Sequence, residues 1–206
     1  MQELHTYVGL VEQALTYPGA YANPDLDLVR RIARRDERAL EALSERYGRR
    51  LYAYALRLTQ NPDLAGEVLQ DTLLAVWQGA RSFRGDSRVV TWLLGIVHNQ
   101  AMNAIRRRSL YVVDLETMEA AHAAGGQPDD EAQALERQAT LARALARLSV
   151  EHRSVVELVF YQELSLAEVA KVCGCPVGTV KSRLSYAKAH LRRALEGAGL
   201  HQEDLL

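Results

Sequence analysis

The feature that most constrains this chain is residues 165–184, whose spacing describes two short helices that cross through a tight turn. Ser165 and Glu168 form the pattern of a capping box, which predicts that a helix begins there. Gly174 suits the left-handed conformation that ends a helix, and Pro176 suits the first position of the next one. The stretch therefore predicts a helix-turn-helix.

The second helix of this motif has the composition of a helix that lies in the major groove of DNA. Val180 and Leu184 are one turn apart and point to the core, which leaves a polar and basic set outside. That set is Thr179, Lys181, Ser182, Arg183 and Lys188. A basic amphipathic helix is often only a solvated face, but the cap, the glycine, the proline and the valine together favour DNA binding.

The chain has 206 residues, of which 48% are hydrophobic and 25% charged, enough for one or two domains with hydrophobic cores. The start lacks the blocks of a signal peptide, and the longest apolar run, residues 92–97, is too short to span a bilayer, so we expect a cytoplasmic protein.

The net charge of the chain is −1, but acidic and basic residues are concentrated in different segments. Residues 109–136 carry seven acidic side chains and neither Lys nor Arg, whereas residues 176–193 carry five Lys or Arg and no acid.

The sequence predicts neither an enzyme nor a cofactor or metal site. Cys173 and Cys175 cannot build a disulfide framework, and inside the helix-turn-helix both are expected to act as small core hydrophobes. The six His residues show no zinc-binding spacing. We find no glycine-rich phosphate loop and no nucleophile with a placed base, so no residue is assigned a catalytic role.

Apolar residues recur at helical spacing and no window of strict alternation predicts a sheet, so the predicted fold class is all-α. Asn23 and Asn61, each followed by Pro and Asp, predict helix starts, and the second helix is expected to run to about Gln78. After a polar loop, a helix is predicted from Val90 to about Arg107, with an end in three arginines.

Residues 114–130 break this periodicity and are acidic, which indicates a flexible linker. We therefore predict two helical domains joined by an acidic flexible linker, the C-terminal one containing the helix-turn-helix. The predicted bounds are an N-terminal extension at 1–24, a first domain at 25–110, the linker at 111–131 and a second domain at 132–206. The extension has the pattern of a short amphipathic helix.

Four blocks of the first domain, in this order, carry a resemblance to a known family: ALEAL at 39–43, YGRRLY at 47–52, DLAGEVLQDTL at 63–73 and TWLLGIVHN at 91–99. They resemble the N-terminal domain of bacterial RNA polymerase sigma factors of the extracytoplasmic-function (ECF) type, in the sigma-70 superfamily. Residues 148–195, with PVGTVKSRL at 176–184, are similar to the other DNA-binding domain of that family.

The resemblance implies a subunit that binds core RNA polymerase and directs promoter-specific transcription initiation. Such a subunit recognises the −35 and −10 elements and stabilises the melted −10 strand. The implied partners are promoter DNA, the β′ coiled coil and β flap of core polymerase, and in some cases an anti-sigma factor, with no insertion into a membrane. The open alternative is a helix-turn-helix regulator that acts without being a polymerase subunit; a DNA-binding enzyme and a polymerase-binding scaffold fit the sequence less well.

Site residues follow from the positions that match the family motifs. For core polymerase binding they are Glu67, Gln70 and Asp71. Asn99 falls where the family reads an extruded base of the −10 element, and the further −10 residues are His98, Asn103, Arg84, Arg106 and Arg107. The outward set of the recognition helix, together with Tyr186, is expected to contact the −35 element. The acidic linker is expected either to run toward the RNA exit path or to act only as a tether. Trp92 is expected to be a core residue and not a ring on which a base stacks.

Overall fold

The computed structural model describes residues 23–112 and 139–196, here called the first half and the second half. Every regular element within these two ranges is helical, which confirms the all-α prediction. The predictions for residues 1–22, for linker residues 113–131 and for residues 132–138 and 197–206 of the second domain lie outside the described residues.

The first half contains four α-helices and a short 3₁₀ turn. They are α1 (Pro24–Ala33), α2 (Glu37–Thr59), α3 (Pro62–Gly79), the turn Ala80–Ser82 and α4 (Val89–Val112). Both predicted starts are confirmed, because the side chain of Asn23 accepts from the amide of Asp25 at 3.1 Å and that of Asn61 from the amide of Leu64 at 2.8 Å.

Helix α4 is longer than predicted. Its expected end lay at about Arg107, but the helix continues to Val112. Arg and Leu are good helix formers, and neither Pro nor Gly follows the arginines within the helix to stop it. The three arginines therefore lie inside the helix, where their side chains are spread around its surface.

The second half contains four further helices joined by tight connections. They are α5 (139–146), α6 (Val150–Val156) with a π-helical turn at Glu157–Tyr161, α7 (Leu166–Cys173) and α8 (Val177–Glu196). The capping box at Ser165 is confirmed, and Gly174 has the predicted left-handed conformation with φ of 60°. Pro176 differs by one position: α8 begins at Val177, and the carbonyl of Pro176 accepts from the amide of Val180 at 3.2 Å.

The two halves pack against each other around a shared hydrophobic core. Leu58 of α2 and Leu94 of α4 lie in the same buried cluster as Val155, Leu158 and Val169 of the second half. Helix α4 packs on α7, and α2 packs on α6. Periodicity identified these apolar faces, but it did not indicate that the two halves would cover each other.

Candidate DNA and polymerase interfaces

The acidic surface predicted for polymerase binding is a stripe along α3. Glu67, Gln70 and Asp71 are exposed at the i, i+3, i+4 spacing of one helix face. Leu74, which is 53% exposed, continues the stripe by one turn. Val68 and Val76 on the opposite side are buried in the core, and this amphipathic burial orients the stripe to solvent.

The face of α4 predicted to meet the −10 element is polar and exposed. Asn99, Asn103 and Arg106 are exposed at i, i+4 and i+7, so they lie on one side of the helix. Arg107 is also exposed, and its guanidinium lies 4.0 Å from the carboxylate of Asp71. This face therefore borders the acidic stripe of α3.

Arg84 and Trp92 lie where the loop meets the start of α4. Arg84 is exposed in the loop and pairs with Asp86 at 3.4 Å. The indole of Trp92 stacks on Phe83, with the ring centroids 4.8 Å apart, and packs against the core. Trp92 is half-buried, so the expectation of a core residue holds only in part, and its stacking partner Phe83 belongs to the loop.

His98 is placed differently from the other predicted −10 residues. It is only 6% exposed, and its Nδ1 lies 3.0 Å from the hydroxyl of Tyr54 on α2. Burial lowers the pKa of His98 to about 4, and the positive charge of Arg183 acts in the same direction. The imidazole is therefore neutral near pH 7 and packs inside the protein instead of facing DNA in this structure.

The recognition helix α8 presents most of its predicted set to solvent. Lys181, Ser182, Tyr186 and Lys188 are exposed, and Thr179 is half-buried. The ring of Tyr186 lies against His152, with centroids 4.4 Å apart, and the ammonium of Lys188 lies 5.6 Å from the ring centroid of Phe160.

Arg183 is half-buried, unlike the other basic side chains of α8. Its guanidinium lies 3.9 Å from the sulfur of Cys175. Its charge also contributes to lowering the pKa of His98 on α4. Helix α7 packs on both α4 and α8.

The cysteines of the turn behave as small hydrophobes, as predicted. Both are half-buried and pack against the core as free thiols. Burial raises the pKa of Cys173 to about 11, so its thiol is protonated at neutral pH. Among the described residues no group of three or more His, Cys, Asp or Glu side chains is placed to hold a metal ion.

Sequence reasoning missed an apolar groove of about 410 Å³ in the second half. It is lined mainly by Leu141, Leu145, Val156, Phe160, Leu191 and Leu195. Phe160 is half exposed because the π-helical turn changes the direction of the side chains that follow α6. The helical spacing of Leu141, Leu145 and Leu148 was the signal that could have predicted an apolar face here.

This arrangement defines a class: an all-helical transcription initiation factor of the sigma-70 type, with a polar, arginine-rich helix in one half and a helix-turn-helix in the other. Residues 43–111 match the family model of Sigma-70 region 2, and residues 138–191 match that of Sigma-70 region 4. The chain belongs to the ECF RNA polymerase sigma factors, as its similarity to individual members shows.

Two such relatives come from Mycobacterium tuberculosis. The chain is 33% identical over 183 residues to the ECF RNA polymerase sigma factor SigM, which covers 88% of this chain and 90% of SigM. It is 35% identical over 162 residues to the ECF RNA polymerase sigma factor SigL, which covers 78% of this chain and 91% of SigL.

A solved structure supports the same assignment. The sigma factor RpoE of Bartonella quintana, in complex with the anti-sigma factor NepR, superposes with a TM-score of 0.61 at 28% identity. The match covers 76% of this chain and 96% of that one. No helix among the residues that the structure describes is both long and apolar enough to cross a membrane.

Proposed function

We propose that this sigma factor divides promoter recognition between the polar face of α4, which holds the melted −10 strand, and the recognition helix α8, which reads the −35 element. The observation that carries the proposal is that one chain contains both surfaces. Each surface lies on a helix whose opposite face is apolar and buried. A regulator that acts without polymerase needs no region 2, so that alternative is not favoured. We keep the predicted domain bounds, 25–110 and 132–206, as part of the proposal.

At the −10 element we assign base capture to Asn99. An amide can donate to and accept from the pairing edge of an unstacked base, and Asn99 is exposed in the middle of the polar face. Arg106 and Arg107 then hold phosphates on the same side. We assign His98 a supporting role, because it contacts Tyr54 beneath this face rather than solvent.

At the −35 element we assign direct readout to Arg183 and backbone contacts to Lys181 and Lys188. The guanidinium of Arg183 has the fork geometry that matches the edge of a guanine, whereas lysine acts as a point charge. Tyr186 is exposed and planar, which suits contact with a sugar or a thymine methyl group. Thr179 and Ser182 lie at the same end of the helix and suit phosphate contacts.

For core polymerase we assign two surfaces. The stripe of Glu67, Gln70 and Asp71 suits the β′ coiled coil, because exposed acids on one helix face complement a basic partner. The apolar groove beside α8 suits an apolar segment of the β flap.

We place the protein in the cytoplasm, where its polymerase works. An anti-sigma partner is also part of the proposal.

Reconstitution tests this assignment. The chain is mixed with core RNA polymerase, and run-off transcription is measured on genomic fragments. Specific start sites are expected with the complete chain and none with core alone. A chain that binds duplex DNA but never directs a specific start would support the regulator instead.

The acidic stripe is tested by charge reversal. Glu67→Lys combined with Asp71→Lys should weaken core binding, and the loss should be larger at low salt because exposed charges are screened. The matched control is Glu41→Lys with Glu45→Lys, which has the same i, i+4 spacing on exposed positions of α2. Equal core affinity of the stripe variant and the control would remove the stripe from the polymerase interface.

A further inference from the structure

Tyr186 lies on the same face of the recognition helix as the side chain proposed to read a guanine. The members of this face, at the spacing i, i+3, i+4 and i+7, are Thr179, Ser182, Arg183 and Tyr186. Tyr186 is 54% exposed, whereas Arg183 is half-buried against Cys175. This face therefore presents an accessible aromatic ring at its C-terminal end.

The ring of Tyr186 rests on a side chain of the neighbouring helix. Helix α8 packs on α6, and His152 lies in the first turn of α6 and is half-buried. The two ring centroids are 4.4 Å apart and the ring planes are inclined by 35°. Rings at this separation attract each other, and the contact restricts the rotamers that an exposed tyrosine otherwise samples. His152 therefore limits the directions in which the ring of Tyr186 can point.

Ser149 in turn fixes the imidazole of His152. The Ser149 hydroxyl lies 2.7 Å from Nδ1 of His152. Ser149 is the N-cap of α6, where a serine hydroxyl normally accepts from an amide of the first turn, but among the described residues its side chain makes no such bond. Ser165, the N-cap of α7, does accept from the amide of Glu168, at 3.3 Å. The hydroxyl of Ser149 is thus directed to a side chain and not to the backbone.

The three side chains form a chain of contacts within the second half. Ser149 contacts His152, and His152 contacts Tyr186, so the first half supplies no part of this arrangement. A side chain whose orientation is fixed before binding loses less conformational entropy when it binds. In the major groove, the apolar group that a ring can contact is the C5 methyl group of thymine.

We propose that Ser149 and His152 position the ring of Tyr186 to read the C5 methyl group of a thymine in the −35 element. His152 is a positioning residue, because it acts through Tyr186 and does not itself contact DNA. This inference rests on the proposed function, since it takes α8 as the helix that enters the major groove at −35. It adds an apolar base contact to the guanine contact assigned to Arg183.

The test measures holoenzyme affinity for a promoter fragment obtained from run-off transcription. Each thymine of the −35 element is replaced in turn by deoxyuridine, which lacks only the C5 methyl group. One of these replacements should weaken binding by the parent holoenzyme about fourfold, the factor for one buried methyl group. Deoxyuridine in the spacer between the two elements is the DNA control and should have no effect.

Substitutions of Tyr186 show whether its ring makes this contact. With Tyr186→Ala, the thymine and deoxyuridine promoters should bind within about 1.5-fold of each other, because the group that distinguishes them is gone. With Tyr186→Phe, the discrimination should stay near fourfold, because phenylalanine keeps the ring.

Substitutions of His152 test the positioning role. His152→Ala should reduce the discrimination to below about twofold, whereas His152→Phe, which keeps a ring beside Tyr186, should retain about threefold. In a chain that already carries Tyr186→Ala, His152→Ala should cause no further loss of affinity, because the two residues act as one unit. Arg147→Ala, at an exposed position just before α6, is the protein control and should leave the discrimination at the parent value.

Substitution of Ser149 tests the first contact of the chain. Ser149→Ala should lower the discrimination in the parent but leave it unchanged in His152→Phe, since phenylalanine has no ring nitrogen for the hydroxyl to contact. Circular dichroism verifies that each variant keeps the helix content of the parent chain.

The outcomes separate this inference from the proposed function. Specific start sites together with equal affinity for thymine and deoxyuridine at every −35 position would overturn the reading of a methyl group and leave the proposed function standing. Parent-like discrimination by His152→Ala would overturn the positioning role, and so would additive losses of affinity from His152→Ala and Tyr186→Ala, which would mean that the imidazole contacts DNA directly. Absence of specific transcription with every chain would overturn the proposed function and this inference with it.

Discussion

The two helices proposed to read the promoter differ in how they present their side chains. On α4, Asn99, Asn103 and Arg106 project from a single exposed face. On α8, Arg183 is half-buried against Cys175, although its neighbours Lys181 and Ser182 are exposed. The proposed −10 surface is thus fully exposed, whereas the side chain proposed to read bases at −35 is partly covered by the turn of its own half.

The difference has a physical origin in what supports each helix. The buried side of α4 contains Leu93, Leu94, Val97 and Ala101, and it packs on both α2 and α7. The opposite side has no covering element among the described residues, so its polar side chains stay in solvent. Helix α8 packs on α6 and α7, and its C-terminal part lines the apolar groove. Its first turns lie against the turn that contains Cys175, which covers part of Arg183.

The largest expected effect concerns the buried side of α4 and its dependence on pH. Burial holds the pKa of His98 at about 4, while the unfolded value is about 6.5. Below pH 6.5, His98 binds a proton in the unfolded chain but not in the folded chain. The contribution of His98 to the free energy of unfolding is therefore fully present above pH 6.5 and decreases as the pH falls to about 4. The loss reaches about 3 kcal/mol, because each pKa unit corresponds to about 1.4 kcal/mol.

Urea unfolding of the parent and of His98→Asn between pH 4 and 7.5 measures this effect. Asparagine retains a polar atom near the hydroxyl of Tyr54 but does not titrate. Carboxyl groups titrate in both proteins, so their effect cancels in the difference between the two free energies of unfolding. The parent should lose more stability than the variant as the pH falls. Parallel pH profiles would show that His98 is solvated and available to DNA, which would restore it to the −10 surface.

The exposed side of α4 is tested by Asn99→Ala. Loss of a two-point contact with an extruded base is expected to cost about 1–3 kcal/mol in open-complex formation, with core binding unchanged. Permanganate footprinting and abortive transcription on duplex and premelted templates provide the measurement. The premelted template should rescue the variant only in part, because the lost contact is with the unpaired base itself.

The control for that experiment is Gln100→Ala, which removes the neighbouring amide from a half-buried position of the same helix. It should leave footprint and product yield unchanged. Parent-like behaviour of Asn99→Ala on both templates would move base capture to the loop at residues 82–88.

The recognition helix is tested by a pair of substitutions measured in the holoenzyme. Arg183→Ala should weaken binding to one promoter by about 1–3 kcal/mol and relax the base preference at one −35 position. Lys188→Ala should weaken all promoters evenly and reduce the salt dependence. An even loss with both substitutions would make Arg183 a phosphate contact and weaken the contrast between the two helices.

The local features of the fold could be predicted from the sequence because they depend on residues close together in the chain. The caps at Asn23, Asn61 and Ser165, the left-handed Gly174 and the spacing of the exposed stripe on α3 are all of this kind. Each is determined by hydrogen bonds or helix periodicity within a few residues.

The contacts between the halves could not be predicted in this way. The burial of His98 depends on Tyr54, which is 44 positions away, and the capping-box residue Glu168 bonds to Arg88, which is 80 positions away. Periodicity marks an apolar face but carries no information about what covers it. The π-helical turn after α6 was also missed, since its residues fit an ordinary α-helix equally well.

The smallest expected effect is at the border between the acidic stripe and the −10 face. Asp71 and Arg107 are 4.0 Å apart and their side chains are half exposed or more, so the pair is expected to contribute less than about 1 kcal/mol to stability. Asp71→Asn should therefore leave the free energy of unfolding nearly unchanged, and any small difference should vanish at high salt. Its affinity for core polymerase should nevertheless fall if the stripe binds the β′ coiled coil. A large loss of stability together with the loss of core affinity would mean that Asp71 acts by holding α3 and α4 together, and the polymerase contact would then rest on Glu67 and Gln70 alone.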